Sequence, residues 1–258
     1  MNKKAGFALT AMVALTYIFL YMPIFVLIFY SFNANPFTQH WTGFTLQWYA
    51  LLFESVEIQH ALFNSFIVAL VTTAMSLLFG TLFVVYAHQK YSVRLLSLFY
   101  SILGIPEIVI AVSLLQFFSY LQIQLGFTTL IGGHMLLGLA YIIPILHTRF
   151  GEIDKHLVEV AYDLGATDTQ VFFTILLPLL TPGIIASGFL VFILSLDDFL
   201  ISFFCAGPTV QTLPLFIFST IRSGSTPMIN ALSTILLLVS CVCVLIFSLL
   251  QKTQKEKL

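Results

Sequence analysis

Six long stretches of the chain contain no Asp, Glu, Lys or Arg: residues 5–53, 58–89, 108–148, 169–196, 199–221 and 223–251. About 20 consecutive apolar residues cross a bilayer as a helix, so these uncharged gaps are the strongest constraint on the fold. Cut at their turn signals, they give six spans, near 8–31, 61–86, 95–121, 128–147, 180–204 and 229–250. Hydrocarbon requires every backbone polar group to be paired internally, which leaves helices or a closed barrel. A barrel needs alternating polar positions, and the stretches lack them. The expected fold is an all-α integral membrane bundle of six transmembrane helices, one transmembrane domain over residues 1–258. A chain of 59% hydrophobic and 8% charged residues is no soluble globular domain, where about a quarter of residues are charged.

The first span follows Lys3 and Lys4, as a secretory signal would. Its apolar run far exceeds a signal h-region of about 7–15 residues, and no small-residue cleavage site precedes Asn33, so it reads as a retained helix. With six spans, loops alternate between two sides. Lys3, Lys4, Lys90, Arg94, Arg149, Lys155, Lys252, Lys255 and Lys257 fall on one side, and Arg222 alone on the other. The positive-inside rule then puts both termini in the cytoplasm. The external segment 33–60 carries Trp41, Trp48 and Tyr49, suited to the membrane surface or to docking of an external protein. Cys205, Cys241 and Cys243 sit in apolar runs and read as small hydrophobes. The six histidines, His40, His60, His88, His134, His147 and His156, read as scattered over loops and span ends, so no metal site is expected.

The cytoplasmic segment 149–178 is more than a connection. Ile153, Leu157, Ala161 and Leu164 recur at helical spacing, with Glu152, Asp154, Lys155, Glu159 and Asp163 around them, which predicts a short amphipathic helix. Gly165 offers the left-handed position that ends a helix, and Thr167 with Gln170 forms a capping-box pattern that starts another. Pro178 and Pro182 mark entry into the fifth span. Over 149–170, two basic residues stand against five acidic ones, and an anionic leaflet repels that balance. The surface therefore reads as a contact for a protein partner.

These residues carry a resemblance. Glu159-Val160-Ala161, then Gly165, then Ile175, Leu177 and Pro178 resemble the E-A-A-x3-G-x9-I-x-L-P signature of permease subunits in bacterial ABC importers, with Val160 in place of the usual second Ala. The resemblance implies a type I importer permease in the bacterial inner membrane. It also implies that Glu159, Ala161, Asp163, Gly165, Ile175, Leu177 and Pro178 seat this elbow on an ATP-binding cassette ATPase dimer. No G-x-x-x-x-G-K-[ST] occurs in the chain, so no cofactor is expected here, and ATP with Mg belongs to the partner ATPase. No enzymatic activity of its own and no nucleic-acid partner are expected.

Three carboxylates sit in apolar surroundings. Glu107 lies in the third span, roughly 20 Å beyond Arg94 at about 1.5 Å per residue, and Asp197 and Asp198 lie late in the fifth. A charge at such depth costs at least about 2.5 kcal/mol and marks a functional candidate. The alternative is structural: pairing with Arg222, or capping a backbone break beside Pro106. The spans hold no Lys or Arg as counter-ion, which suggests that the positive charge arrives with the substrate.

Other segments widen the resemblance. SLDDF at 195–199, AGP at 206–208, LPL at 213–215, NALSTILL at 230–237, IPEIVIAVSLL at 105–115, QLGF at 124–127 and YMPIFVLIFYSFN at 21–33 are similar to the C-type permease subunits of spermidine/putrescine importers. This implies acidic recognition of a polyamine at Asp197 and Asp198, with Glu107 as a further candidate. It also implies a second permease subunit as heterodimer partner, an extracytoplasmic polyamine-binding protein, and alternating access. Phe199, Phe203, Phe204 and Tyr141 are candidate walls between the carboxylates. A permease for another small solute, or a proton-coupled secondary transporter, remains an alternative. An intramembrane aspartyl protease is disfavoured, because adjacent helical residues point about 100° apart.

Overall fold

The computed structural model describes residues 3–36, 40–90, 93–224, 227–239 and 241. The described residues are helical, with one isolated bridge between Asn33 and Phe44. In chain order the helices are α1 (Lys3–Tyr30), α2 (Gln47–Glu54), α3 (Val56–Lys90), α4 (Val93–Ile102), α5 (Glu107–Tyr120), α6 (Phe127–Gly151), α7 (Lys155–Asp163), α8 (Asp168–Val171), α9 (Leu177–Asp197), α10 (Leu200–Cys205), α11 (Leu213–Ser223) and α12 (Pro227–Val239).

Four helical runs are long and apolar enough to cross a membrane: Leu9–Tyr30, Val56–Tyr86, Phe127–Gly151 and Asp168–Asp197. A fifth is counted if the bent pair Leu96–Ile102 and Glu107–Tyr120 is one span. The sixth expected span, 229–250, is represented by α12, and its later part lies outside the described residues.

Two spans depart from the continuous helices that hydropathy suggests. The third breaks at residues 103–106 and bends by 111°. Pro106 cannot donate a backbone hydrogen bond and disfavours helical geometry at Ile105, so a new helix begins after it. Glu107 is therefore the first residue of α5, and its depth cannot be counted along one straight helix from Arg94. The fifth span starts earlier and stops sooner than 180–204: α9 ends at Asp197, and Asp198 is extended at ψ 118°. Its entry, marked by Pro178, is helical on both sides of that proline. A π-helical turn, Phe172–Leu176, joins α8 to α9, and the wider turn accommodates a proline that lacks its N–H and crowds the carbonyl four residues back.

By packing, the chain falls into two compact units: His60–Phe216, and Met1–Gln59 with Ile217–Leu258. Within the first, α6 is the hub. Ile142, Ile143 and Leu146 of α6 pack with Val84 of α3, Leu96 of α4 and Val191 of α9. Ala111 of α5 joins Ile201 and Cys205 of α10 in a second cluster. Lipid tails are as apolar as Leu, so close packing at small residues supplies much of the association in such bundles. Gly133 shows it: a Cβ there would stand 2.6 Å from Ile201 Cγ2. This contact fixes α10 against α6 at the position next to His134.

In the other unit, Asn33 organises the turn after α1. Its Nδ2 donates to the His40 carbonyl at 2.9 Å, its Oδ1 accepts from Thr42 N at 3.1 Å, and Trp48 Nε1 donates to its carbonyl at 2.8 Å. Trp41 stacks on Phe29 at 4.4 Å between ring centroids. Trp41 and Trp48 thus help close a compact turn.

Candidate functional site

A cavity of about 300 Å³ opens within the His60–Phe216 unit, where α5, α6 and α9 meet the break before α10. Glu107, Asp197 and Asp198 all line it, with Tyr141, Phe199, His134 and Ser195. Three carboxylates that are distant or merely adjacent in sequence therefore share one space. Each reaches it because a helix begins or ends there. Glu107 heads α5, where a helix N-terminus favours negative charge. Asp197 is the exposed last residue of α9.

Asp198 occupies the break itself and is 8% exposed. Its Oδ1 accepts the backbone N–H of Ser202 at 2.9 Å, in the manner of a cap on the first turn of α10. His134 Nε2 lies 3.4 Å from the same oxygen. Oδ2 is buried and accepts no hydrogen bond among the described residues. Glu107 is near enough for its side chain and charge to act on Asp198. Among the described residues, none of the three acids pairs with Lys or Arg.

The aromatic candidates divide. Tyr141 and Phe199 line the cavity. Phe204 instead packs against the cluster of Ala111, Ile201 and Cys205, and Phe203 is 51% exposed and stands beside Phe199 at 5.5 Å between ring centroids. Neither Phe203 nor Phe204 is a wall. Cys205 is a free thiol in that cluster. His134 was misplaced by its sequence context: it sits inside α6, 4% exposed, with Nδ1 at 2.7 Å from Ser195 Oγ and Nε2 at 3.2 Å from Ser202 Oγ. The signal was present, as an ionisable side chain in an apolar span is a functional candidate by default. Among the described residues no three His, Cys, Asp or Glu side chains form a set that could hold a metal ion.

A second feature lies at the other end of α6. The sequence from Asp154 to Gln170 folds as helix, bend and helix. Asp154 caps α7 by accepting from His156 N at 3.0 Å. Gly165 takes φ +85°, and the Gly165 and Ala166 amides bond back to the Tyr162 and Ala161 carbonyls, the Schellman arrangement. Thr167 and Gln170 then exchange capping-box hydrogen bonds, Thr167 N to Gln170 Oε1 at 2.8 Å and Gln170 N to Thr167 Oγ1 at 3.4 Å. Tyr162 Oη donates to Asp168 Oδ1 at 3.0 Å across the bend. No residue of α7 is buried, and Glu159, Asp163 and Gly165 are exposed with Ala161 half-buried. Ile175 lies in the π-helical turn, with Leu177 and Pro178 opening α9. Two fixed helices therefore present an uncovered amphipathic elbow.

Residues 76–258 match the family described as "Binding-protein-dependent transport system inner membrane component". The chain belongs to that family. As such a component it is a multi-pass inner-membrane protein, in keeping with its apolar helices. It is 37% identical over 244 residues to the spermidine/putrescine transport system permease protein PotC of Escherichia coli (strain K12), covering 93% of this chain and 92% of the relative. It is 32% identical over 255 residues to the putrescine transport system permease protein PotI of the same organism, covering 95% and 91%. A solved chain of a bacterial alginate ABC transporter, in complex with alginate pentasaccharide-bound periplasmic protein, superposes with a TM-score of 0.68. That match covers 95% of this chain and 93% of the other at 18% identity, and it shows the fold.

Proposed function

We propose that the chain is the permease subunit of an ATP-driven importer of polyamines such as spermidine and putrescine. The observation that carries this reading is the convergence of Glu107, Asp197 and Asp198 on one cavity, with no Lys or Arg paired to any of them among the described residues. A buried carboxylate without a cation is costly, and a polyamine is a string of ammonium groups joined by methylenes. Its ammonium groups pair with the carboxylates. Its methylenes rest on Tyr141 and Phe199, whose ring faces also attract cations. The names of the similar permeases support the same cargo.

In this reading six spans cross the membrane, both termini are cytoplasmic, and the cavity is completed by a second permease subunit. An extracytoplasmic binding protein delivers the polyamine. ATP and Mg are held by an ATPase dimer on a separate chain, against which the 149–178 elbow seats. The elbow supports this role because it is internally braced yet uncovered. The braced elbow, whose second helix α8 runs on into α9, turns a push from the ATPase into movement of the carboxylates at the far end of α9.

The test is uptake by the purified assembly in proteoliposomes, with the loaded binding protein outside the vesicles. Radiolabelled spermidine or putrescine is expected to accumulate at least about tenfold faster with internal ATP than without it. Equal rates with and without ATP refute the importer reading. ATP-driven accumulation of another solute, with none of either polyamine, refutes the cargo.

A further inference from the structure

The buried imidazole at the cavity has no part in the function so far described. His134 is hydrogen-bonded at both ring nitrogens, Nδ1 to Ser195 Oγ at 2.7 Å and Nε2 to Ser202 Oγ at 3.2 Å, and Nε2 also stands 3.4 Å from Asp198 Oδ1. A carboxylate only accepts, so the ring proton belongs on Nε2, facing Asp198, while Nδ1 accepts the Ser195 hydroxyl hydrogen. The ring joins three elements: its own helix α6, Ser195 on α9, and Ser202 on α10. It also spans the place where Asp198 interrupts the helix.

The consequence falls on the two oxygens of Asp198. Oδ1 is occupied by the Ser202 backbone N–H at 2.9 Å and faced by His134. Oδ2 is buried and accepts no hydrogen bond from a backbone or cationic group among the described residues, and the Glu107 side chain stands close to the same carboxyl. A carboxyl free to rotate presents either oxygen and loses that freedom when a cation binds. One that is already clamped has lost it beforehand, which raises affinity without any added contact. We propose that His134 is a positioning residue, with Ser195 behind it, that clamps Oδ1 of Asp198 so that Oδ2 is the oxygen offered to a cargo ammonium. This rests on the cation-site reading of the cavity.

The experiment uses the complete transporter in proteoliposomes, with uptake of radiolabelled spermidine and ATP hydrolysis measured in the same vesicles. His134→Leu is expected to lower uptake about tenfold while ATP hydrolysis stays within about twofold of the wild type. His134→Gln, whose amide donates from nearly the place of Nε2, is expected to restore at least half of the lost uptake. Ser195→Ala leaves the ring in place but unoriented and is expected to lower uptake about threefold. It carries the test should His134→Leu fail to assemble. Wild-type uptake in His134→Leu, or in Ser195→Ala should His134→Leu fail to assemble, overturns the proposal. So does a His134→Gln variant as impaired as His134→Leu, or a parallel fall of uptake and hydrolysis, which marks a scaffold role. Asp198→Asn is run beside them. Wild-type uptake there refutes the cation site itself, whereas lost uptake there with an unaffected His134→Leu refutes the clamp alone.

Discussion

Replacing Asp198 with Asn is expected to lower ATP-driven polyamine uptake by about 100-fold, with assembled complex still present in the membrane. The substitution is nearly isosteric. The Asn carbonyl oxygen can still accept the Ser202 backbone N–H that Oδ1 accepts at 2.9 Å, so the break before α10 keeps its cap. The negative charge at the buried Oδ2 is lost. Removing one partner of a desolvated charge pair costs about 2–5 kcal/mol, and each 1.4 kcal/mol is about tenfold, which brackets the expected loss. Asp197 is exposed, so its attraction to an ammonium is screened by solvent, and Asp197→Asn is expected to cost less. Initial rates of labelled uptake, normalised to complex isolated by detergent extraction, give the comparison. Wild-type rates in Asp198→Asn return this residue to a purely structural role.

Replacing Gly165 with Val is expected to separate ATP hydrolysis from transport, with uptake lowered at least about tenfold while hydrolysis persists. Gly165 stands at φ +85° between α7 and α8. A Cβ there would meet no neighbour within 4 Å, so the cost is conformational rather than a clash. For an ordinary residue the left-handed conformation costs roughly 1–2 kcal/mol, and a β-branched side chain makes it worse. Relaxing that strain breaks the Gly165 and Ala166 hydrogen bonds to the Tyr162 and Ala161 carbonyls and re-aims one helix of the elbow. Asn tolerates the left-handed region and is found in this position of helix ends, so Gly165→Asn is expected to keep most of the coupling. Hydrolysis and uptake measured on the same vesicles decide it. Unimpaired ATP-driven uptake in Gly165→Val shows that the bend is not the coupler.

What could be read from the sequence followed the range of the interactions involved. The elbow was legible residue by residue because its determinants are local. The Asp154 cap, the Gly165 turn and the Thr167–Gln170 box each lie within a few residues of their partners. Spans were legible from uncharged runs, but interruptions within them were not. Hydropathy does not distinguish a straight helix from one broken at Leu103 to Pro106, and it carried the fifth span through Asp198 to 204, whereas α9 ends at Asp197. Both interruptions matter, because each delivers an acid to the cavity. The acids themselves stood out, but their meeting did not, since Glu107 and Asp198 are distant in sequence and are brought together by the packing of α5 directly on α10. His134 was read with the other histidines as lying on a loop or span end for a related reason: nothing local marks it as buried, and its partners Ser195 and Ser202 lie 61 and 68 residues further on.

The most direct measurement is a structure of the whole transporter trapped in an occluded state with spermidine inside. A cargo ammonium is expected within hydrogen-bond distance of Asp198 Oδ2, with methylenes against Tyr141 and Phe199. Spermidine held elsewhere in the passage, with Asp198 still unpartnered, contradicts the cation site.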